Sequence, residues 1–391
     1  MGDLSMLFTM AVEFAVELTA EQVSGALAAV QRRHPLLQAQ IEDHPVSRLG
    51  FYRPEPVPPI GLVVLRRPAE TWQRVAGEEV VKGFDTSVAP LMRAVLIGDG
   101  GPSVLLLTLY HSVADGVGTM ALVRDMVRAL NGEELAPLPF PPAQEDLIGS
   151  LLPAPTELEA GPPPADDPRM DIPVAGRPYD GAVPAIATLT LDEVFTRRLA
   201  GRSRQEKTTV HSVVSVAAAR ARSVVGGEEY VRVLTPFDLR PWIGGDGVCV
   251  DYHAATRTGS EPFCGDTLWD QARAVRDALA GPRSPAAISA ASAAIQKYVP
   301  VHADAATATA VMGSFAYDIL VSNKGVVSLK GALRPVALWG GIAPSQLEGE
   351  DRISVITYDG QLRLTANGYG SSGRLLAEIR DVLHEAVAET P

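Results

Sequence analysis

Apolar side chains recur at every second position along residues 7–18, at Phe8, Met10, Val12, Phe14, Val16 and Leu18. That period is the signature of a strand with one buried face. The pattern then changes. Val23, Ala26, Leu27 and Val30 follow at helical spacing behind Thr19, an N-cap residue with Gln22 at the capping-box position. This helix is expected to stop before His34-Pro35, because proline pushes the residue ahead of it out of helical backbone angles. Apolar runs predict strands at 62–65, 92–97 and 104–109, and residues 120–130 a helix closed by Asn131-Gly132.

From 137 to 184 proline is dense and the periodicity fades, which reads as a connector with one short helix near 145–152. Beyond it the pattern returns. Strands are expected near 186–191, 231–234, 318–322, 353–358 and 361–366, with helices at 192–203, 210–222 and 373–389. The last helix carries Leu375, Leu376, Ile379, Leu383 and Val387 on its inner face. No short fixed repeat is present, so solenoids and propellers are set aside. The expected organisation is a first domain at 1–136, a proline-rich connector at 137–185 and a second domain at 186–391, each a packed α/β sandwich.

Composition narrows this picture. In 391 residues, 46% are hydrophobic and 20% charged, which suits a globular protein and not a wholly disordered one. A net charge of −12 with no long basic run argues against nucleic acid as a partner. Two cysteines, Cys249 and Cys264, are too few for a disulfide framework or a zinc knuckle; they read as small buried hydrophobes, with one oxidised pair as the alternative, and a cytoplasmic location is expected. The apolar stretch near the start has no preceding Lys or Arg and is flanked or broken by Asp3, Glu13 and Glu17, unlike a signal peptide. No run approaches the ~18 apolar residues of a membrane span.

One segment carries chemistry. The run 104–110 ends in His111-Ser112-Val113-Ala114-Asp115-Gly116. A histidine at a strand end exchanges a proton near neutral pH when its neighbours fix the ring. The same residues also read as an Asp-Gly turn beside an edge histidine, since short patterns recur by chance. A second motif, Gly368-Tyr369-Gly370-Ser371-Ser372-Gly373, matches the dinucleotide fingerprint in spacing only, because the chain offers no further strand and acidic residue after it.

The histidine segment resembles the HHxxxDG signature of the condensation and acyltransferase superfamily, and its polyketide-associated branch, the phthiocerol/phthiodiolone dimycocerosyl transferases, is most similar. Arg33-His34-Pro35-Leu36-Leu37, Ala89-Pro90-Leu91-Met92-Arg93-Ala94, Thr209-Val210-His211-Ser212, Pro236-Phe237-Asp238-Leu239-Arg240-Pro241 and Val321-Ser322-Asn323-Lys324-Gly325 resemble further family segments in order. There are two departures: Tyr110 stands at the first motif histidine, and the asparagine that often follows the DLR segment has no obvious match, Asp251 and Tyr252 lying nearby.

The resemblance implies an α/β fold of two chloramphenicol-acetyltransferase-like sandwich domains with a tunnel at their interface. His111 would be the general base, Asp115 a structural residue paired with Arg240, and Gly116 the site of a tight turn. Ser322 and Asn323 are implied as oxyanion or acceptor contacts, although Asn323 also reads as a turn former. The implied activity is transfer of an acyl group from a coenzyme A or carrier-protein thioester to a hydroxyl, or an amine, of a natural product or lipid, with no metal or bound cofactor. Its partners would be a small-molecule acceptor and an acyl carrier protein, the chain itself being a monomer. Cyclisation, epimerisation or simple binding in the same tunnel is the alternative. The basic stretch 197–207 reads either as a solvated helix end or, through Arg202 and Arg204, as a contact for the donor's phosphates.

Overall fold

The structure is a computed structural model and describes residues 6–44, 48–155, 167–177, 180–300, 303–304, 307, 311 and 315–388. The chain begins with β1 (Leu7–Phe14), α1 (Ala20–Arg33), a hairpin of β2 (Gln40–His44) and β3 (Arg48–Tyr52), and β4 (Gly61–Leu65). Next come α2 (Trp72–Val80), β5 (Met92–Ile97), β6 (Ser103–Tyr110) and α3 (Gly116–Leu130). After α4 (Gln144–Leu151) follow β7 (Ala185–Leu191), α5 (Glu193–Gln205), α6 (Val210–Gly226), β8 (Val231–Asp238), the single turn α7 (Arg240–Ile243) and β9 (His253–Ser260). The remainder is α8 (Leu268–Ala280), α9 (Pro285–Tyr298), β10 (Ile319–Val327), β11 (Ala337–Ile342), β12 (Asp351–Tyr358), β13 (Gln361–Gly368) and α10 (Ser372–Ala388).

Local chemistry sets several of these boundaries. Thr19 Oγ1 accepts from Gln22 N–H at 3.2 Å and Gln22 Oε1 accepts from Thr19 N–H at 2.8 Å, a reciprocal cap that opens α1. His34 is extended and Pro35 follows, so α1 stops at Arg33. Thr209 caps α6, and Gly227, at φ 84°, ends it in the left-handed region that favours glycine.

Two sheets result. The first has the order β11-β1-β6-β5-β4 and the second β7-β13-β12-β10-β8-β9. β1 is shorter than its alternation suggests and is buried on both faces rather than one. It lies between β6 and β11, with α3 over Val12 and Phe14. On its other face Glu13 accepts from Trp339 Nε1 at 2.7 Å, and Trp339 stacks on Trp72 of α2 with ring centroids 6.3 Å apart. In the second sheet, α6, α8 and α10 cover one face, with Leu375, Leu376, Ile379 and Leu383 all buried. The other face supplies Ile356 and Tyr358 to the first core, so the two lobes share packing.

Domain boundaries drawn by residue number do not anticipate β11. It comes from the second half of the chain yet pairs antiparallel with β1, completing the first sheet. The connector is also more structured than its composition suggests. Met170 is buried, its carbonyl accepts from Arg257 Nη1 at 2.9 Å, and Arg232 Nη1 donates to the Ile172 carbonyl. Residues 156–166 and 178–179 of that connector lie outside the described residues. Cys249 is buried as expected, whereas Cys264 is exposed, since it sits in the loop between β9 and α8; both thiols are free. Among the described residues, no helix is long and apolar enough to cross a membrane.

Candidate active site

β6 delivers His111 to the seam between the lobes. Strand alternation sends the residue before it the other way: Tyr110 is buried against Phe84 in the first core, edge to face at 6.3 Å. The position of the first motif histidine is thus a packing position here. His111 itself is part-exposed and meets Phe8 edge-on at 5.0 Å.

Asp115 caps α3, accepting from Gly118 N–H at 2.6 Å through Oδ1. Its second oxygen, Oδ2, accepts from Arg240 Nη1 and from Tyr252 N–H, both at 2.9 Å. Arg240 in turn donates from Nη2 to the Val250 carbonyl at 2.8 Å and from Nη1 to Asp238 at 2.8 Å. These bonds grip the segment on either side of Asp251. His34 holds the same segment from the other end. Its Nδ1 accepts from Cys249 N–H at 3.2 Å, which places the ring proton on Nε2, facing Asp125 Oδ2 at 3.1 Å.

Gly116 does not supply the tight turn expected of it. It opens α3 without a left-handed φ, and the side chain of Lys324 packs over it. The demanding glycine is Gly118, where a Cβ would fall 2.5 Å from the Val250 carbonyl oxygen. Gly118→Ala is therefore expected to push residues 249–251 off α3 and to destabilise the protein by ~1–3 kcal/mol, the usual cost of overpacking. An unchanged midpoint of urea unfolding would refute the close approach.

With the segment gripped, Asp251 lies between two imidazoles. Oδ2 is 3.2 Å from His111 Nδ1, and Oδ1 accepts from His253 Nδ1. The two rings are 5.3 Å apart between centroids. With Nδ1–H directed at Asp251, the lone pair of His111 Nε2 is left for a proton. Burial alone would raise the pKa of Asp251 and strip the proton from His253, yet their mutual attraction outweighs it in both. The Asp251 carboxyl is held well below the usual carboxylate range, and His253 is pushed up to about 9. The site is thus expected to hold a carboxylate and an imidazolium at neutral pH beside His111. His253 has no place in the sequence reading, although Asp251-Tyr252-His253 held a usable signal: side chains two apart on an extended segment share a side.

A cavity of about 360 Å³ opens beside this group, lined by Ser112, Asp251, Tyr252 and His253 and by residues 140–145 of the connector. The Ser112 hydroxyl oxygen is buried and has no hydrogen-bond partner among the described residues. On the other side of α3, Lys324 Nζ donates to Ser354 Oγ and lies 3.5 Å from Ser322 Oγ. Burial lowers this ammonium to about 8 against the pull of Asp115. Asn323 Oδ1 accepts from Gly325 N–H at 2.8 Å, the local turn that its sequence also suggested.

The structure does not gather Arg202 and Arg204 into a free basic surface. Arg202 pairs with Glu206 at 2.8 Å and lies over Trp269, its side chain only 11% exposed; Arg204 alone of the two is exposed. Among the described residues, His111, Asp251 and His253 form the set whose ligand atoms fall within 4.8 Å, close enough for a metal ion. Here the two carboxylate oxygens instead face ring nitrogens within hydrogen-bond reach.

Comparison with known proteins agrees with this architecture. No protein-family model matches the chain. Over 268 residues it is 26% identical to phosphinothricin tripeptide synthetase PhsC of Streptomyces viridochromogenes, a match covering 62% of this chain and 23% of the synthetase. The chain thus spans less than a quarter of that relative. The first condensation domain of the calcium-dependent antibiotic synthetase, solved with a substrate analogue, superposes with a TM-score of 0.69 at 16% identity, covering 99% of this chain and 92% of that domain. Polyketide synthase associated protein 5 from Mycobacterium tuberculosis superposes with a TM-score of 0.65 at 17% identity, covering 98% and 94%. The fold is therefore the two-lobed, chloramphenicol-acetyltransferase-like fold of condensation domains.

Proposed function

We propose that this condensation-domain-like protein is an acyltransferase of natural-product biosynthesis, with His111 as its base. The observation that carries the reading is the orientation of His111: Nδ1 is held by Asp251 and Nε2 faces away from it, at a strand end in the seam between two lobes. In the reaction, the acceptor hydroxyl gives its proton to His111 Nε2 while its oxygen bonds to the thioester carbonyl carbon. The carbon–sulfur bond then breaks and the thiol departs. Coenzyme A and the phosphopantetheine arm of a carrier protein present the same thioester, and the site chemistry suits either. Positioning two substrates against one base requires no acyl-enzyme.

The test is to mix the protein with hexanoyl coenzyme A, or with a hexanoyl carrier protein, and a panel of alcohols and amines, following thiol release and product mass. Acceptor-dependent release with a product heavier by one acyl group is the expected result. Thioester returned cyclised or with inverted stereochemistry would establish the alternative chemistry. Binding with no turnover of any mixture would leave a holding protein.

A further inference from the structure

We propose that His253 is a second catalytic group, which gives a proton from its Nε2 to the thiolate leaving the acyl carbon. The inference rests on the acyl-transfer reading and adds to it a separate acid. Its geometry is the counterpart of that of His111. Both rings turn Nδ1 toward the same carboxylate, so their Nε2 atoms face away from Asp251, and His253 lines the cavity walled by residues 140–145. Whatever occupies that cavity meets His253 and Ser112 along its wall.

The electrostatic surroundings favour a stored proton. Asp251 bonds to the ring, Asp115 and Arg240 lie behind it, Asp238 pairs with it across β8 and β9, and Glu145 of α4 lines the same cavity. With its pKa pushed up to about 9, His253 is charged at neutral pH. It is also well matched to an alkyl thiol of pKa ~8.5. The protons balance. His111 takes one from the acceptor as the carbon–oxygen bond forms, the electron pair of the carbon–sulfur bond goes to sulfur, and sulfur takes one from His253. Passing the proton on His111 Nε2 through solvent to His253 Nε2 resets the pair.

The experiment compares His253→Gln with wild type, using octanol as acceptor and two hexanoyl donors, the N-acetylcysteamine thioester and the thiophenyl ester. An acid matters most to the poorer leaving group. Transfer from the alkyl thioester is expected to fall by ~10²-fold, and that from the thiophenyl ester by less than about tenfold. The wild-type rate should also decline as pH rises through about 9, where the acid loses its proton, and the variant should lack that limb. Equal losses with both donors, or no loss, would overturn the proposal. Imidazole NMR of histidine-labelled wild type supplies a readout independent of the variant's folding: a neutral His253 ring at pH 7 would also overturn it. His111→Ala separates the two levels of the argument. Full transfer there removes His111 as the base on which the two-histidine scheme is built, whereas loss there with His253→Gln unaffected sinks only the second acid.

Discussion

Replacing His111 by alanine is expected to leave a folded protein whose acyl transfer is slower by ~10²–10⁴, the range for loss of a positioned base. The fold should survive because the ring is part-exposed, at 32%, and of its neighbours Phe8, Asp251 and His253 the two polar ones stand at the seam and Phe8 alone belongs to the core. The loss should appear chiefly in kcat, since the base acts on the proton in flight and not on ground-state binding. The measurement is thiol release under saturating donor and acceptor, with the circular dichroism spectrum as the folding control. A near wild-type rate would remove His111 from the chemistry.

The second large effect concerns stability. Asp115 and Arg240 form a buried pair at 2.9 Å, with side chains 4% and 1% exposed, so solvent screens it little. Removing one partner leaves an uncompensated buried charge, at a cost of ~3–5 kcal/mol. Asp115→Ala should lower the melting temperature more than loss of a helix cap would, since Arg240 keeps only Asp238 as a carboxylate partner and Tyr252 N–H loses its acceptor together with the cap on α3. Arg240→Ala should do comparable damage by leaving Asp115 unpaired. The double variant should be less unstable than the sum of the two, and a fully additive cycle would show that they do not act as a pair. Activity should fall in both single variants, because the same bonds position Asp251.

Short-range chemistry explains which parts were legible in advance. The capping box at Thr19, the stop at His34-Pro35 and the apolar runs of β5 and β6 are each encoded within a few residues, where backbone preference and side-chain spacing act directly. His111 was legible for the same reason, whereas the choice of Asp115 and Arg240 came from the family resemblance; their contact spans 125 residues and only the fold makes it. β9 and β11 escaped. The first is rich in Thr, Ala and Gly, and the second is interrupted by Gly340-Gly341, so neither shows a clean period of its own.

The sequence by itself determined the α/β character, the position of the motif histidine and the existence of two halves, because those follow from local periodicity and from residue types at fixed spacing. Tertiary structure alone decided that β11 crosses back to β1 and that Gly118 must lie against Val250. It alone decided that Asp251 and His253 stand beside His111. Each of these is a contact between segments far apart in the chain. Its energy comes from burial and charge pairing in the folded state, and local spacing does not record which distant partner a strand edge, a cation or an imidazole will meet.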